Sequence, residues 1–205
     1  MIDAGAKSRL GKLRLVLWAG VFLVAGIALS LWFTGSRPAA EQATDYGDSV
    51  GGPFEMVASD GSTVTDKTLA GKPYAIFFGF TRCPDVCPTT LARMARLRQE
   101  LGPDGEKFRL VFVSVDPEHD KPEDVGRYVD LFATPILGLT GSERQLAQIV
   151  KAYHVYYQKV PEGDDYTIDH SAGVYLMDAK GKLRSMIDYQ EDDEAALAKL
   201  RNLIA

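Results

Sequence analysis

Apolar residues recur along this chain at two different spacings, and each spacing predicts a different kind of element. Short apolar runs bounded by turn residues predict buried strands, and the clearest are residues 73–80 (PYAIFFGF) and 108–115 (FRLVFVSV). Apolar residues three or four positions apart predict helices that bury one face. Strands alternate with helices along the chain, and a hairpin and a helix come last. This order predicts an α/β sandwich around a mixed central sheet.

Turn and cap residues set the bounds of these elements. The predicted strands are residues 54–59, 62–65, 73–80, 108–115, 136–139, 155–160, 173–177 and 182–188. The predicted helices are residues 88–101, 122–132, 142–153 and 195–203. Proline fits the first turn of a helix, so Pro88 can begin the first of them, and Gly102-Pro103 ends it. Ser142 and Gln145 form a capping box for the third.

One long apolar segment precedes this alternation. Residues 15–33 (LVLWAGVFLVAGIALSLWF) carry no charge, and as a helix they would reach about 28 Å, close to the hydrocarbon thickness of a membrane. Trp18 and Trp32 lie near its ends, where aromatic rings favour the interface. Four basic residues and one acidic residue precede it. By the positive-inside rule we expect residues 1–14 to be cytoplasmic, residues 15–34 to be a single-pass anchor, and the rest to lie outside.

A cleaved signal peptide is the alternative interpretation of this segment. Ala28-Leu29-Ser30 has the small-x-small pattern of a cleavage site. The apolar run continues to Phe33, however, and is longer than the apolar region of an ordinary signal peptide. An uncleaved anchor is therefore favoured. No amphipathic presequence rich in Arg and Ser precedes it, so we expect a bacterial inner membrane with the C-terminal domain in the periplasm.

The composition of the remaining residues excludes one class of function. Residues 35–52 are polar with few aliphatic side chains, which predicts a flexible linker, and residues 53–205 have the length of one domain with a full core. Residues 35–205 contain 19 Lys and Arg against 27 Asp and Glu, a net charge of −8. A domain this acidic is not expected to bind nucleic acid. The charge would suit a basic protein partner, and it would equally serve plain solubility.

The chain contains two cysteines, Cys83 and Cys87, which frame the sequence Cys-Pro-Asp-Val-Cys. In a helical turn their Cα atoms would lie about 6 Å apart on one face. That separation allows a disulfide and also allows both sulfurs to bind one metal ion. Two thiolates and one imidazole would form a site suited to Cu(I) or Zn(II). Two cysteines are too few to cross-link a fold of this size. The pair therefore indicates a chemical role rather than a packing role.

The cysteines follow a predicted buried strand and precede a helix, which is the thioredoxin arrangement. Backbone N–H groups and the helix dipole stabilise thiolates at such a place. Of the three histidines, His170 lies directly before predicted strand 173–177, where redox thioredoxin-like proteins carry a cis-proline beside their cysteines. We therefore expect His170 to face the pair. His119 is predicted to be a surface residue, and His154 a structural residue at a helix end.

Four segments closely resemble the Sco/SenC family of membrane-anchored copper chaperones. They are residues 79–90 (GFTRCPDVCPTT), 115–120 (VDPEHD), 155–160 (VYYQKV) and 166–178 (YTIDHSAGVYLMD). The resemblance covers roughly residues 50–205 and implies a thioredoxin-like fold with copper, as Cu(I) and also Cu(II), held by Cys83, Cys87 and His170. It implies delivery to the binuclear copper centre of cytochrome c oxidase subunit II, with another periplasmic copper chaperone or a thiol reductase as further partners. At His119 the family commonly has arginine, which affects a local ion pair or partner contact.

Two acidic residues lie beside the expected ligands in the sequence. Asp85 stands between the cysteines, and Asp169 directly precedes His170. Either carboxylate could orient a ligand or meet a basic partner, and a solvated carboxylate would do neither.

Two further functions would use the same cysteines. Cys83 and Cys87 could serve a thiol-disulfide reductase that keeps the cysteines of the oxidase reduced, with His170 dispensable or acting as a proton shuttle. This role would be enzymatic, and it can coexist with copper delivery. A Cys83–Cys87 disulfide would remove the metal site, so metal loading would depend on the redox state of the pair. A peroxidase or redox sensor is disfavoured, because residues 81–84 (TRCP) lack the usual Pro-x-x-x-Thr-x-x-Cys approach to a peroxidatic cysteine.

Overall fold

The computed structural model describes residues 17–30 and 49–205. The chain divides into two units, Met1–Thr44 and Asp45–Ala205, and residues 17–30 of the first unit are helical. The predicted segment 1–14, both ends of the predicted anchor and most of the predicted linker lie outside the described residues. Within residues 17–30 and 49–205, no helix is both long and apolar enough to cross a membrane.

The described part of the second unit contains nine strands and five α-helices. The strands are β1 (Glu55–Ala58), β2 (Thr63–Thr65), β3 (Tyr74–Gly79), β4 (Arg109–Ser114), β5 (Ile136–Thr140), β6 (Tyr157–Glu162), β7 (Asp165–His170), β8 (Val174–Met177) and β9 (Leu183–Ile187). The helices are α1 (Asp66–Leu69), α2 (Val86–Glu100), α3 (Pro122–Val129), α4 (Glu143–Tyr153) and α5 (Asp193–Ile204). Short 3-10 helices cover Gly102–Lys107 and Asp130–Phe132.

Seven strands form one mixed sheet in the order β2-β1-β5-β4-β3-β8-β9. β3, β4 and β5 are parallel, and the outer strands pair in an antiparallel manner. Every residue of β3 is buried, because helices cover both faces of the sheet. On one face Phe78 packs against Tyr153 of α4, with ring centroids 5.4 Å apart. On the other face Phe77 packs against Phe112 of β4, with centroids 6.4 Å apart.

The register of the central strands determines where the functional loops meet. Gly79 at the end of β3 pairs with Ser114 at the end of β4 in a parallel ladder. Residues 80–85 and 115–121 therefore leave the sheet side by side at the carboxyl ends of these parallel strands. This is where α/β folds place their sites. Asp120 joins these loops, since its buried carboxylate accepts from the N–H and hydroxyl of Thr81 at 2.9 and 2.6 Å and from the hydroxyl of Ser114 at 2.6 Å.

The predicted mixed sheet and most predicted elements are present. The capping box forms as predicted, since the N–H of Ser142 donates to Oε1 of Gln145 at 2.8 Å and the N–H of Gln145 donates to the Ser142 hydroxyl at 3.3 Å. The first long helix begins at Val86 rather than Pro88, which places the proline in its first turn. The strand predicted over 155–160 lies at Tyr157–Glu162.

The short helix α1, the 3-10 helix Gly102–Lys107 and strand β7 were not predicted. β7 (Asp165–His170) pairs with β6 in a separate two-stranded antiparallel sheet. Its sequence, DYTIDH, buries only Ile168 completely, so it lacks the apolar alternation by which strands are identified. His170 is consequently the last residue of a strand rather than part of a loop before one.

Candidate metal centre

The cysteines lie where the loop after β3 enters α2. The N–H of Cys83 donates to the carbonyl oxygen of Phe80 at 3.2 Å, which closes a turn. Cys87 is the second residue of α2, and its N–H points at Sγ of Cys83 across 3.4 Å. The first N–H groups of a helix have no partner within the helix, so the sulfur of Cys83 receives one of them. Both cysteines are free thiols.

The structure brings His170 to the cysteines from the separate hairpin. Nε2 of His170 lies 3.3 Å from Sγ of Cys87. Nδ1 lies 3.0 Å from the carbonyl oxygen of Ser171. Because a carbonyl oxygen can only accept a hydrogen bond, Nδ1 carries the ring proton and Nε2 directs its lone pair at the sulfur. This is the tautomer that a metal-binding imidazole uses.

The two thiols differ in their pKa values. A hydrogen bond from the thiol of Cys87, together with backbone N–H groups of Cys87 and Asp85, holds the pKa of Cys83 well below its usual range despite partial burial. The adjacent Cys83 sulfur and complete burial raise the pKa of Cys87 far above its usual range. The pair therefore holds one proton on Cys87, between the Cys83 sulfur and Nε2 of His170. A cation that replaced this proton would face three donor atoms.

Aromatic side chains and a glycine form the inner wall of the site. The rings of Phe77 and Phe80 stand edge-on to the His170 ring, with centroids 6.0 and 5.9 Å away. Gly79 leaves room for the sulfur of Cys87, since a Cβ atom there would lie 2.7 Å from it. These apolar groups cover the side of the site that faces the core, whereas Cys83 is partly exposed on the side that faces solvent.

The donor set fits a soft metal ion. The two sulfur atoms and the imidazole nitrogen all lie within 4.8 Å of one another. Cu(I) and Zn(II) both accept thiolate and imidazole ligands. Thiolates bind the soft ion Cu(I) in strong preference to hard ions such as Mg²⁺ and Ca²⁺. Three donors leave a coordination position for a fourth ligand from outside, which suits exchange more than permanent storage.

The two acidic residues beside the expected ligands point elsewhere. Asp85 precedes α2 without a capping bond from its side chain, and its carboxylate accepts from the Thr89 hydroxyl at 3.3 Å. Asp169 is exposed on β7. Among the hydrogen bonds of the described residues, neither carboxylate contacts a side chain of Cys83, Cys87 or His170.

Sequence reasoning missed a polar cluster beside the cysteines. Asp116 is completely buried, and its carboxylate accepts from the phenol of Tyr166 at 2.6 Å and from the guanidinium of Arg82 at 3.3 Å. His119 exposes 37% of its side-chain surface, as expected for a surface residue, but its Nδ1 lies 3.0 Å from Asp116. The signal available was the acidic segment 115–120, which directly follows a buried strand.

This cluster has the composition of a second cation site but already contains a cation. Ligand-type atoms of Asp116, Glu118 and His119 lie within 4.8 Å of one another. The Arg82 guanidinium lies among them, 2.9 Å from Nδ1 of His119. The third histidine, His154, ends α4, and its Nε2 lies 3.1 Å from the carbonyl oxygen of Ser49.

Alkylation is expected to distinguish the two cysteines. Iodoacetamide at pH 6 should modify Cys83 of the reduced chain well before Cys87, because Cys83 is partly exposed and ionised whereas Cys87 is buried and protonated. From pH 8 to pH 6 the rate at Cys83 should change little, while an ordinary thiol slows roughly 100-fold. Mass spectrometry measures the ratio, and denatured protein, in which both should react equally, is the control. Equal rates in the folded chain would contradict the assignment.

Comparisons with known proteins give a consistent result. The family model described as SCO1/SenC matches residues 42–205. Protein SCO1 homolog 1, mitochondrial, of Arabidopsis thaliana is 42% identical over 134 residues, which are 63% of this chain and 39% of that protein. The structure of Bradyrhizobium japonicum ScoI with copper bound is 42% identical, with a TM-score of 0.70 over 75% of this chain and 99% of that one.

A third relative is BsSco, described as a member of the Sco family of cytochrome c oxidase assembly proteins with a disulfide switch. It is 26% identical, with a TM-score of 0.60 over 75% of this chain and 92% of that one. These likenesses confirm the predicted thioredoxin-like α/β fold with a mixed sheet. The chain spans about two fifths of the length of the plant relative, whose remaining residues have no counterpart in the match.

Proposed function

This chain belongs to the SCO1/SenC family, and we propose that it is a membrane-anchored copper chaperone that delivers copper to the binuclear centre of cytochrome c oxidase subunit II. One observation carries the proposal: the sulfurs of Cys83 and Cys87 and the imidazole of His170 converge within 4.8 Å. Copper in this proposal is a cargo that enters and leaves, and the three side chains are its ligands.

The chemistry of the donors supports copper as the cargo. Two sulfurs and one imidazole nitrogen match the preference of Cu(I) for soft ligands, and the imidazole adds a donor that Cu(II) also accepts. Cys83 is already a thiolate, and Cys87 gives up one proton when a metal ion takes its place. The Bradyrhizobium relative, 42% identical, has copper bound in its structure.

The openness of the site supports delivery rather than storage. Cys83 is partly exposed, and the ligands come from a turn, a helix end and a separate hairpin. An incoming ligand from a partner can therefore reach the metal without unfolding the domain. BsSco is described as belonging to a family of cytochrome c oxidase assembly proteins, and this description supports the oxidase as recipient.

The proposed location follows from the N-terminal sequence. Residues 15–34 would anchor the chain in a bacterial inner membrane, with residues 1–14 in the cytoplasm. Residues 35–52 would be a flexible linker, and residues 53–205 the copper-binding domain in the periplasm. The uncharged apolar run and the basic residues that precede it support this arrangement.

A thiol-disulfide reductase is the second candidate, favoured by the asymmetry of the thiols. The exposed Cys83 thiolate would attack a disulfide of the partner, forming a mixed disulfide and releasing one partner thiolate. Cys87 would then lose its proton and attack the Cys83 sulfur, forming the Cys83–Cys87 disulfide and releasing the second partner thiolate. The partner gains two electrons and this chain loses two. The cysteines of oxidase subunit II are the proposed substrate.

His170→Ala is expected to separate the two functions. Both thiols survive, so the variant should still bind one Cu(I), whereas its affinity for Cu(II) should fall at least about 100-fold, because even changes around metal ligands cost about 10–100-fold. Thiol-disulfide exchange should persist, since it depends on the thiolate and its access. Copper stoichiometry, Cu(II) titration and assembly of the oxidase copper centre in a strain carrying the variant provide the measurements.

The matched control is His154→Asn, because His154 lies far along the chain from the cysteines and asparagine tolerates its left-handed backbone conformation, φ 53°. This variant should behave as wild type. If oxidase assembly is normal with His170→Ala but is lost with Cys83→Ser, the copper-delivery proposal is wrong and the reductase function takes its place. Binding of Zn(II) in preference to Cu(I) would also count against delivery.

A further inference from the structure

The strand that carries His170 is not part of the main sheet. β6 and β7 form their own two-stranded sheet, which shares no strand pairing with the seven-stranded sheet in the described part of the chain. An isolated two-stranded hairpin is only marginally stable in water. Ile168 is the one residue of β7 that lies in the buried core, and Tyr166 packs against that core from a half-buried position. Beside this packing and the contacts of the His170 ring with Phe77 and Phe80, polar contacts contribute to the place of the strand.

Polar contacts attach the start of β7 to the loops beside the cysteines. Nη1 of Arg82, the residue before Cys83, donates to the carboxylate of Asp165 at 2.6 Å. The phenol of Tyr166 donates to Oδ1 of buried Asp116 at 2.6 Å, and Oε2 of exposed Glu118 lies 2.9 Å from the same phenol oxygen. The guanidinium of Arg82 also lies over the ring of Tyr166, 5.5 Å from its centroid. Asp165 and Tyr166 are thus held by the loop that carries Cys83 (residues 80–85, the cysteine loop) and by the loop after β4.

The neighbouring strand contributes to the same attachment. Nζ of Lys159 on β6 forms an ion pair with Glu118 at 2.7 Å. It also lies 4.4 Å from the centroid of the Tyr166 ring. The ring therefore lies between two cations while its hydroxyl binds a buried anion, and the hairpin is bound through both of its strands.

Asp116 is the fixed member of this cluster. It lies two residues beyond the central strand β4, is 0% exposed, and its N–H donates to the hydroxyl of Ser114 at 3.0 Å. Its two carboxylate oxygens contact two different segments. Oδ1 accepts a hydrogen bond from Tyr166 of β7, and Oδ2 accepts one from Arg82 of the cysteine loop. A buried carboxylate is stable only while such partners remain. The Asp116 carboxylate thus joins the cysteine loop to the β6–β7 hairpin that carries His170.

We propose that Asp116 is a positioning residue that holds His170 beside the cysteines through Tyr166. Tyr166 and His170 lie four positions apart on the extended strand, about 13 Å, and a paired strand transmits a constraint over that distance. When the phenol loses its acceptor, the hairpin is free to shift and His170 leaves the cysteines, which stay with α2. The proposal rests on the function proposed above, because it gives Asp116 a role at the same copper site.

Tyr166→Phe tests the proposal with the smallest change. It removes the hydroxyl and keeps the ring between its two cations. Tyr156→Phe is the matched control, because Tyr156 precedes the same hairpin, is 53% exposed, and its hydroxyl donates to Gln158 within that hairpin. The first measurement is the NMR signal of the His170 imidazole in the reduced, metal-free full chain. The second is the affinity for Cu(II) and Cu(I).

Tyr166→Phe is expected to shift and broaden the His170 ring signal and to lower the Cu(II) affinity about tenfold, with Cu(I) binding reduced less than threefold. Tyr156→Phe should change neither. A His170 ring signal in Tyr166→Phe that matches wild type overturns the positioning role. If wild type binds no copper, the proposed function fails, and the metal-free ring signal alone decides the positioning role.

A second variant decides the matter if Tyr166→Phe does not fold. Arg82→Lys keeps the charge, but one ammonium group cannot bind Asp116 and Asp165 at the same time as the forked guanidinium does. The same shift and broadening of the His170 signal is expected. An unchanged signal in a folded Arg82→Lys chain overturns the proposal.

Discussion

Cys87→Ser is expected to abolish stable copper binding, lowering the Cu(I) affinity at least 100-fold while the fold persists. A serine hydroxyl at neutral pH is a hard, uncharged donor, so only one thiolate and one imidazole would remain for a soft ion. Serine is slightly smaller than cysteine, and its hydroxyl can still donate to Nε2 of His170 as the thiol of Cys87 can. Competition with a Cu(I) chelator measures the affinity, and circular dichroism checks the fold.

Thr89→Ser provides the matched control for this substitution. Thr89 is an exposed residue of the same helical turn, and its hydroxyl contacts Asp85 rather than the site. Its variant should bind copper as wild type does. If Cys87→Ser keeps its Cu(I) affinity within threefold of wild type and remains folded, Cys87 is not a ligand and the three-donor site is wrong.

Gly79→Ala is expected to lower the free energy of unfolding by about 1–3 kcal/mol and to weaken copper binding as well. The added methyl carbon would lie 2.7 Å from Sγ of Cys87, 3.1 Å from Cε2 of Phe112 and 3.2 Å from Cε1 of Phe77. The two rings are packed in the core, so the short Cys87 side chain must move away from its position beside His170. Urea unfolding measures the stability, and chelator competition measures the affinity.

Gly138→Ala separates the two effects. A Cβ atom at Gly138 would lie 2.6 Å from Cγ1 of Val125, a comparably close contact between β5 and α3 rather than at the cysteines. This variant should lose a similar free energy of unfolding and keep its copper affinity. An equal loss of copper affinity in both variants would show that Gly79 acts through general stability and does not shape the site.

The sequence predicts best what local chemistry determines. β3 and β4 were predicted because burial on both faces demands continuous apolar runs, and α4 because Ser142 and Gln145 cap it. β7 was not predicted, because five of its six residues are not completely buried and its pairing partner is another polar strand. Its place depends on contacts with loops far away in the sequence, which no local pattern records.

The same distinction applies to the candidate site. Cys83, Cys87 and His170 could be predicted as candidate ligands because few residue types bind soft metals and these three occur at informative positions. Asp116 and Tyr166 were missed, because an aspartate after a strand and a tyrosine in a polar segment are ordinary by themselves. Their 2.6 Å hydrogen bond joins segments 50 residues apart, and only the folded chain shows it. His119 was predicted at the surface, and its contact with Asp116 likewise required the fold.

The unequal burial of the two sulfurs gives ligand exchange a direction. Cys87 is completely buried beside Gly79, while Cys83 faces solvent in part. In the proposed delivery, a donor atom from a partner would approach from the Cys83 side, so Cys83 would be the first ligand to be exchanged and Cys87 the last. Loading would follow the reverse order, with the Cys83 thiolate binding the ion first and the Cys87 thiol losing its proton afterwards. The proposed chaperone would therefore bind and release copper from the same side of the site.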